Sequence, residues 1–422
     1  MYNLSVLDNG LKVITRTMPH SHSVSIAFLI GTGSCHEKQE EQGISHFIEH
    51  MCFKGTNRRP SAVQITREIE GVGGIINAST DKESTVFWSK VASKHFPIAL
   101  NVLSDLVLNS QFNAEELDKE RNVVIQEINM NLDLPQQRVN MLIEELLWPN
   151  QVLGCDIAGS KESVSSLTRD QMLNYFSNRY VPNNTVLSIA GNIRHDDLIT
   201  KLKTLTDGWA AKEATRDYIS NEIQNAPRLN AEAKKGEQAH LCLAVHGFSY
   251  FHPQRFVLDL LNTILGGGMS SRLFIEIRER RGLAYDIASY VDHRYNSGAF
   301  VVYAGVAPNN TQVATEAILE ELSKLKQEIS TDELTRAKEL SKGRLQLRLE
   351  DSRNVALWLG SQQLLTGQIL EINEVIKVID AITTDDLKQV ANTLLSSNRI
   401  SLAIVGPDKD NPSIEYLNSK VI

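Results

Sequence analysis

Cysteine is scarce in this chain and scattered where it occurs. Cys35, Cys52, Cys155 and Cys242 form no CxxC pair, so they read as reduced thiols and give neither a disulfide framework nor a thiolate zinc site. Long apolar runs are missing as well. VSIAFLI is far too short for a membrane span, which needs about 18 apolar residues or more. Positive charge is not in excess: the formal net charge is −8, which argues against a nucleic-acid partner, because phosphate binding is carried by clustered Lys and Arg. An acidic balance suits cationic peptides better. The opening stretch MYNLSVLDNGLKVITRTM lacks a basic flank followed by an apolar segment, so no transit peptide is expected and the cytoplasm is the expected location. GxxxxGK[ST] is absent, and Gly266 to Gly268 have no following Lys. These glycines read as a turn that caps the preceding helix, not as a nucleotide loop. What remains, 422 residues at 42% hydrophobic and 22% charged, is a globular chain long enough for two or more cores.

The most informative pattern present is His46-Phe47-Ile48-Glu49-His50. Two imidazoles four residues apart fall on one helix face, where both can offer a ring nitrogen to one tetrahedral zinc. Glu49 lies between them and is placed to take a proton from a water. At about 100° per residue, Ile44, Phe47, Ile48 and Met51 group on the opposite, core-facing side. Cys52 falls with that side and is not read as a ligand. Taken alone, the polar face of such a helix also reads as simply solvated, so a third ligand matters. The stretch from Asn113 to Asn131 opens with Asn113 and Glu116, an N-cap pattern, and continues without Gly or Pro. On it, Glu120, Val123, Val124 and Glu127 recur at i, i+3, i+4 and i+7, which puts two acids in one stripe with two valines. A buried carboxylate needs a cation or several hydrogen-bond donors. Zinc would serve Glu127, with Glu120 orienting a histidine ring; pairing of both acids with Arg121 or another basic residue remains the alternative.

Three segments, GISHFIEHMCFKGT, GGIINASTDKEST and ERNVVIQEINM, resemble the pitrilysin and insulinase family of zinc metallopeptidases, in its mitochondrial-processing-peptidase-like branch. The spacing from His50 to Glu127 fits that family too, and the similarity continues into GGGMSSRLFIEIRERRGLAY. The resemblance implies one Zn2+ per chain on His46, His50 and Glu127. It makes Glu49 the general base and Glu120 the acidic residue of the catalytic site that supports a histidine ligand from behind. It places Asn77 and Ala78 on an edge strand beside the metal, where an extended peptide adds by backbone pairing. Arg278 and Tyr285 then reach the substrate from the second half of the chain. Read without the family, Asn77 is a turn residue and Arg278 belongs to a solvated charge run, RERR.

An internal duplication underlies this organisation. Residues 167–193 align without a gap to 382–408, matching Asn183, Leu187, Ile189 and Gly191 to Asn398, Leu402, Ile404 and Gly406. Each half begins with an alternating strand segment, followed by helix patterns, more strands and a closing strand. The expected fold is α+β: two homologous domains of one topology, each a mainly antiparallel sheet packed with helices. The expected boundaries are 1–212 for a zinc-binding domain, 213–228 for a linker and 229–422 for a second domain of the same fold. The offset that aligns the halves carries His46, Glu49 and His50 onto Leu261, Ile264 and Leu265, so the second domain has no metal site.

The expected activity is zinc-dependent endopeptidase hydrolysis of unstructured peptides. Alternatives are a non-catalytic processing-peptidase-like or respiratory-core-type subunit, and a zinc-dependent peptide-binding protein. Larger members of the resembling family enclose substrate in a chamber of four such domains. Two copies of this two-domain chain are therefore expected to pair as a homodimer, with a heterodimer with a related chain as the other arrangement.

Overall fold

The computed structural model describes residues 1–213, 218, 220 and 223–407. The linker expected at 213–228 lies partly outside these residues, as does Asp408 at the end of the second repeat. Two sheets form. The first contains β1 (Asn3–Val6), β2 (Lys12–Thr17), β3 (Ser23–Ile30), β4 (Ile75–Thr80), β5 (Thr85–Ala92) and β6 (Thr185–Gly191), in the order β1-β2-β6-β3-β5-β4. The second contains β7 (Arg228–Ala233), β8 (Ala239–His246), β9 (Ala284–His293), β10 (Gly298–Val306) and β11 (Ser401–Gly406), in the order β7-β11-β8-β10-β9. With β1 set aside, the two orders correspond strand for strand. In each sheet one pair is parallel, β2 with β6 and β7 with β11, and the remaining pairs are antiparallel. The duplicated sequence also repeats its helix start: Thr168 and Thr383 each cap a helix through a capping box. The fold is thus two α+β domains of one topology.

The central strands explain the layering. In β3, SVSIAFLI, every residue after Ser23 is buried, which a half-solvated strand with period two would not show. Helix α1 (Ile44–Cys52), helix α2 (Ala62–Glu70) and helix α3 (Phe96–Asn109) belong to the same half as this sheet, and α3 packs on β3 and β5. Helix Ser352–Leu365 covers β2, β3 and β6, burying Val355, Ala356, Leu359 and Leu364 against Ile14, Ala27, Leu29, Val186 and Ala190. Gly360 allows this approach, because a Cβ there would lie 2.4 Å from Leu29 Cδ1.

That helix comes from the second half of the sequence, and the first half returns the exchange. After helix α4 (Ala114–Asp133), helix α5 (Pro135–Leu147) packs on β7, β8 and β11. Its Val139, Leu142, Ile143 and Leu147 are buried, and Arg138 donates to both carboxylate oxygens of Glu232 at 2.8 and 2.6 Å. The compact units are therefore discontinuous. The first comprises Met1–Ile128, Asp156–Tyr218 and Gln346–Glu371, and the second takes the rest of the described chain. This departs from continuous halves at 1–212 and 229–422. An amphipathic pattern says that a helix needs a sheet but not which of two like sheets it covers. Among the described residues no helix is long and apolar enough to cross a membrane.

Candidate metal centre

Helix α1 is oriented by its apolar side. Ile44, Phe47, Ile48 and Met51 are all fully buried, and at about 1.5–3 kcal/mol for each buried side chain they fix which face turns inward. His46, Glu49 and His50 are left on the other side. The helix begins at Gly43, whose φ is +89° and whose Cβ, were there one, would sit 2.4 Å from the Ala158 carbonyl oxygen. Only glycine fits that entry.

Helix α4 brings the acids. Its buried residues are Leu117, Glu120, Val124 and Ile128, whereas Val123 is 47% exposed. The apolar stripe is thus narrower than the spacing suggested, and Val123 lies outside it. Glu127 sits at its margin, where a carboxylate reaches the histidines. Arg121 does not pair with these acids. Its guanidinium donates to the carbonyls of Val164 and, at 2.8 Å, Leu167, and lies over the Phe47 ring at 5.5 Å.

His46, His50 and Glu127 offer donor atoms that all lie within 4.8 Å of one another. Glu127 Oε2 is 3.8 Å from His46 Nε2 and 3.6 Å from His50 Nε2. Tetrahedral zinc with bonds of about 2.0–2.1 Å separates its ligands by roughly 3.4 Å, so the donor set fits that ion in type and in spacing. His50 Nδ1 is 2.8 Å from Glu120 Oε1. A proton on Nδ1 directed at this carboxylate leaves Nε2 with its lone pair facing Glu127 and His46. Glu120 is held in turn by Lys54, whose Nζ is 2.5 Å from Oε2. Burial pushes the Glu120 carboxyl up, but the hydrogen bonds and charges of His50 and Lys54 outweigh burial and hold it below its ordinary value. His46 is pushed down to about 4, first by burial and then by His50, so its imidazole is neutral at pH 7. For His50, burial works downward, but the Glu120 hydrogen bond and the surrounding carboxylates raise it.

Glu49 stands beside this cluster. Thr80, the last residue of β4, donates to Glu49 Oε2 at 2.6 Å. Burial raises the Glu49 carboxyl, with the Thr80 hydroxyl opposing. β4 is an edge of its sheet among the described residues and packs on α1. Asn77 is exposed on it and Ala78 half-buried, with the Asn77 side-chain oxygen accepting the Ala78 amide at 2.8 Å. Asn77 is therefore a strand residue and not a turn residue.

The second unit brings Arg278 and Tyr285 together. Arg278 lies on a wide π-helical segment, Phe274–Arg280, with its guanidinium 4.8 Å from the Phe274 ring and 5.3 Å from that of Tyr285. It also lies 3.8 Å from the Glu279 carboxylate, whereas Arg280 and Arg281 of the same charge run pair with Glu276. Tyr285 is 75% exposed. Leu261, Ile264 and Leu265 are buried in helix Arg255–Gly266, which ends at the glycines as expected. A Cβ on Gly266 would meet the Ser289 amide at 2.5 Å, so this glycine also permits close packing on β9.

Lys54 and Thr80 escaped sequence reasoning. Lys54 follows the end of α1, outside any helical period, and Thr80 meets Glu49 only because β4 folds back onto the helix.

The model of the insulinase family, peptidase family M16, matches residues 12–161, the segment that holds the two histidines and the acids. The model of the peptidase M16 inactive domain matches residues 166–341, where leucine and isoleucine stand in place of ligands. The chain is 37% identical over 406 residues to the Bacillus subtilis protein named uncharacterized zinc protease YmxG, covering 96% of this chain and 98% of that one. It is 35% identical over 408 residues to an uncharacterized zinc protease of Rickettsia felis, again covering 96% and 98%. Among solved structures, a protease from Helicobacter pylori superimposes with a TM-score of 0.92 at 21% identity, covering 96% of this chain and 99% of the other. A peptidase M16 inactive domain protein from Pseudomonas fluorescens gives 0.88 at 18% identity, with 97% and 98% covered. At such identity these two establish the fold alone.

Proposed function

The chain belongs to the insulinase family of M16 peptidases, and from that premise we propose that it is an active zinc endopeptidase that cleaves unstructured peptides. The observation that carries this reading is the convergence of His46, His50 and Glu127 with Glu49 alongside. The inactive-domain match does not oppose it, because it starts at residue 166, beyond all four of these side chains.

His46, His50 and Glu127 would hold zinc, which when bound would supply Lewis acidity to activate water and polarise a peptide carbonyl. Glu49, oriented by Thr80, takes a proton from the attacking water and returns it to the leaving amine. Glu120 fixes the His50 ring, and Lys54 keeps Glu120 ionised while it does so. The substrate adds as a strand along β4 at Asn77 and Ala78, with recognition through backbone pairing and little demand on side chains. Arg278, held between two aromatic rings, and Tyr285 are assigned to the substrate carbonyl or the oxyanion.

Two copies are required if peptides are enclosed by four such domains, and we assign a homodimer. Light scattering should give about twice 47.1 kDa; a mass of that size only in the presence of a related chain would mean a heterodimer. The activity is tested with a quenched peptide library, with and without chelator. Zinc-restored cleavage is expected, whereas zinc binding without turnover would identify a peptide-binding or structural subunit instead.

A further inference from the structure

The carboxylate of Glu37 takes part in none of the steps above, yet it is buried at the start of the helix that carries the site. Its Oε2 accepts the Gly43 amide at 2.7 Å and its Oε1 the Ser45 amide at 2.8 Å. These are amides that a helix N-terminus leaves without a partner inside the helix, and a negative group there faces the positive end of the helix dipole. Ser45 Oγ continues the network to the Tyr175 hydroxyl at 2.9 Å, and Tyr175 to Thr32 at 2.8 Å. The chain just before Glu37 is pinned elsewhere. Ser34 and Cys35 donate their amides to the carbonyls of Asp81 and Lys82 at 3.3 and 2.9 Å. That turn directly follows Thr80, the residue that holds Glu49. The short segment from Ser34 to Glu37 therefore links two places, the end of β4 through its backbone and the first turn of α1 through the Glu37 carboxylate.

A cap of ordinary type would not require this arrangement. Thr168, Ser160 and Thr383 cap their helices with short neutral side chains, which costs little. Glu37 instead buries a carboxyl, which burial pushes up to about 7 despite the Ser45 and Gly43 amides and the field of Lys82. The corresponding helix of the second unit, Arg255–Gly266, carries no metal ligands, and there the His252 ring accepts the Gln254 amide at 3.1 Å where α1 uses a carboxylate.

We infer that Glu37 is a positioning residue that locks α1 against the end of β4, so that His46, His50 and Glu49 keep their relation to Glu127 and Thr80. This rests on the metal-site reading given above. The test uses the full chain with Glu37→Gln, which keeps the shape of the side chain but leaves one amide without an acceptor. Zinc affinity by chelator competition should fall about tenfold, as for other residues that hold ligands in place. At saturating zinc, kcat should fall while KM for a quenched peptide holds, and melting should stay cooperative. A variant that merely melts at lower temperature, with wild-type zinc affinity and kcat, would overturn the inference. If Glu37→Gln does not fold, Ser45→Ala and Tyr175→Phe take its place. Each should weaken zinc binding by about twofold to fivefold, and wild-type affinity in both would be equally contrary. Should the wild-type chain show no turnover at all, the peptidase reading fails, and the zinc affinities alone decide the role of Glu37.

Discussion

Helix α1 and helix Arg255–Gly266 occupy the same place in two like units. The first packs on edge strand β4 and helix Arg169–Arg179, the second on edge strand β9 and helix Thr384–Leu394. One presents His46, Glu49 and His50; the other buries Leu261, Ile264 and Leu265. The fold is satisfied by the apolar version, so the scaffold does not require the polar residues of α1. They are a departure from good packing, and departures of that kind mark function more reliably than residues on which the fold depends.

The comparison is broken most completely by giving α1 the residues of its counterpart. His46→Leu with Glu49→Ile and His50→Leu should abolish zinc binding and peptide turnover, as measured by metal analysis and a quenched-peptide assay. The metal-free protein should still melt cooperatively with stability close to wild type, because the apolar burial gained on α1 is offset by the partners lost to the buried Glu120 carboxylate and to Thr80. Loss of folding in this variant would mean that the polar face is structural after all. The next largest effect comes from the other unit. Arg278→Ala should slow turnover by about 10²-fold, the scale of losing one oxyanion donor, with zinc content and melting temperature unchanged; wild-type rates would leave the second unit without a part in chemistry.

A graded effect concerns acid stability, where one histidine in each unit behaves alike. His46 and His246 are each pushed down to about 4, His46 by burial and by His50, His246 by burial and by Arg228 and Arg399. An unfolded histidine titrates near 6.5. Unfolding therefore takes up protons below that pH, so their contribution is intact above 6.5 and is lost as pH falls towards 4, by about 3 kcal/mol at most for each. Glu37 has the opposite sign. With its carboxyl raised to about 7, its contribution is present below the unfolded value near 4.5 and fades as pH rises through 7. Thermal melts in chelator from pH 7 to 4.5 should show falling stability. His246→Gln should remove part of the slope and Glu37→Gln should steepen it; parallel melts for all three proteins would refute the assignment.

Much of this was legible in the sequence because the residues concerned follow a period. The HxxEH spacing fixed one helix face, and the gap-free repeat revealed two domains of one topology. The exchange of α5 for helix Ser352–Leu365 was not legible, since the apolar faces of two related sheets attract an amphipathic helix equally well. Val123 was misread because the true stripe runs through Leu117, Glu120, Val124 and Ile128, displaced by part of a turn. Thr80, Lys54 and Glu37 have no periodic signature; they matter only through contacts made after the chain folds back.

The central claim is that α1 holds a metal and, separately, a base. Wild-type and Glu49→Gln proteins, purified alike and matched for zinc content, should be compared in cleavage of one unstructured peptide. One zinc per chain is expected in both, with turnover in the variant reduced by about 10²-fold or more. Equal turnover in the two, or zinc lost from the variant in step with its activity, would contradict the claim.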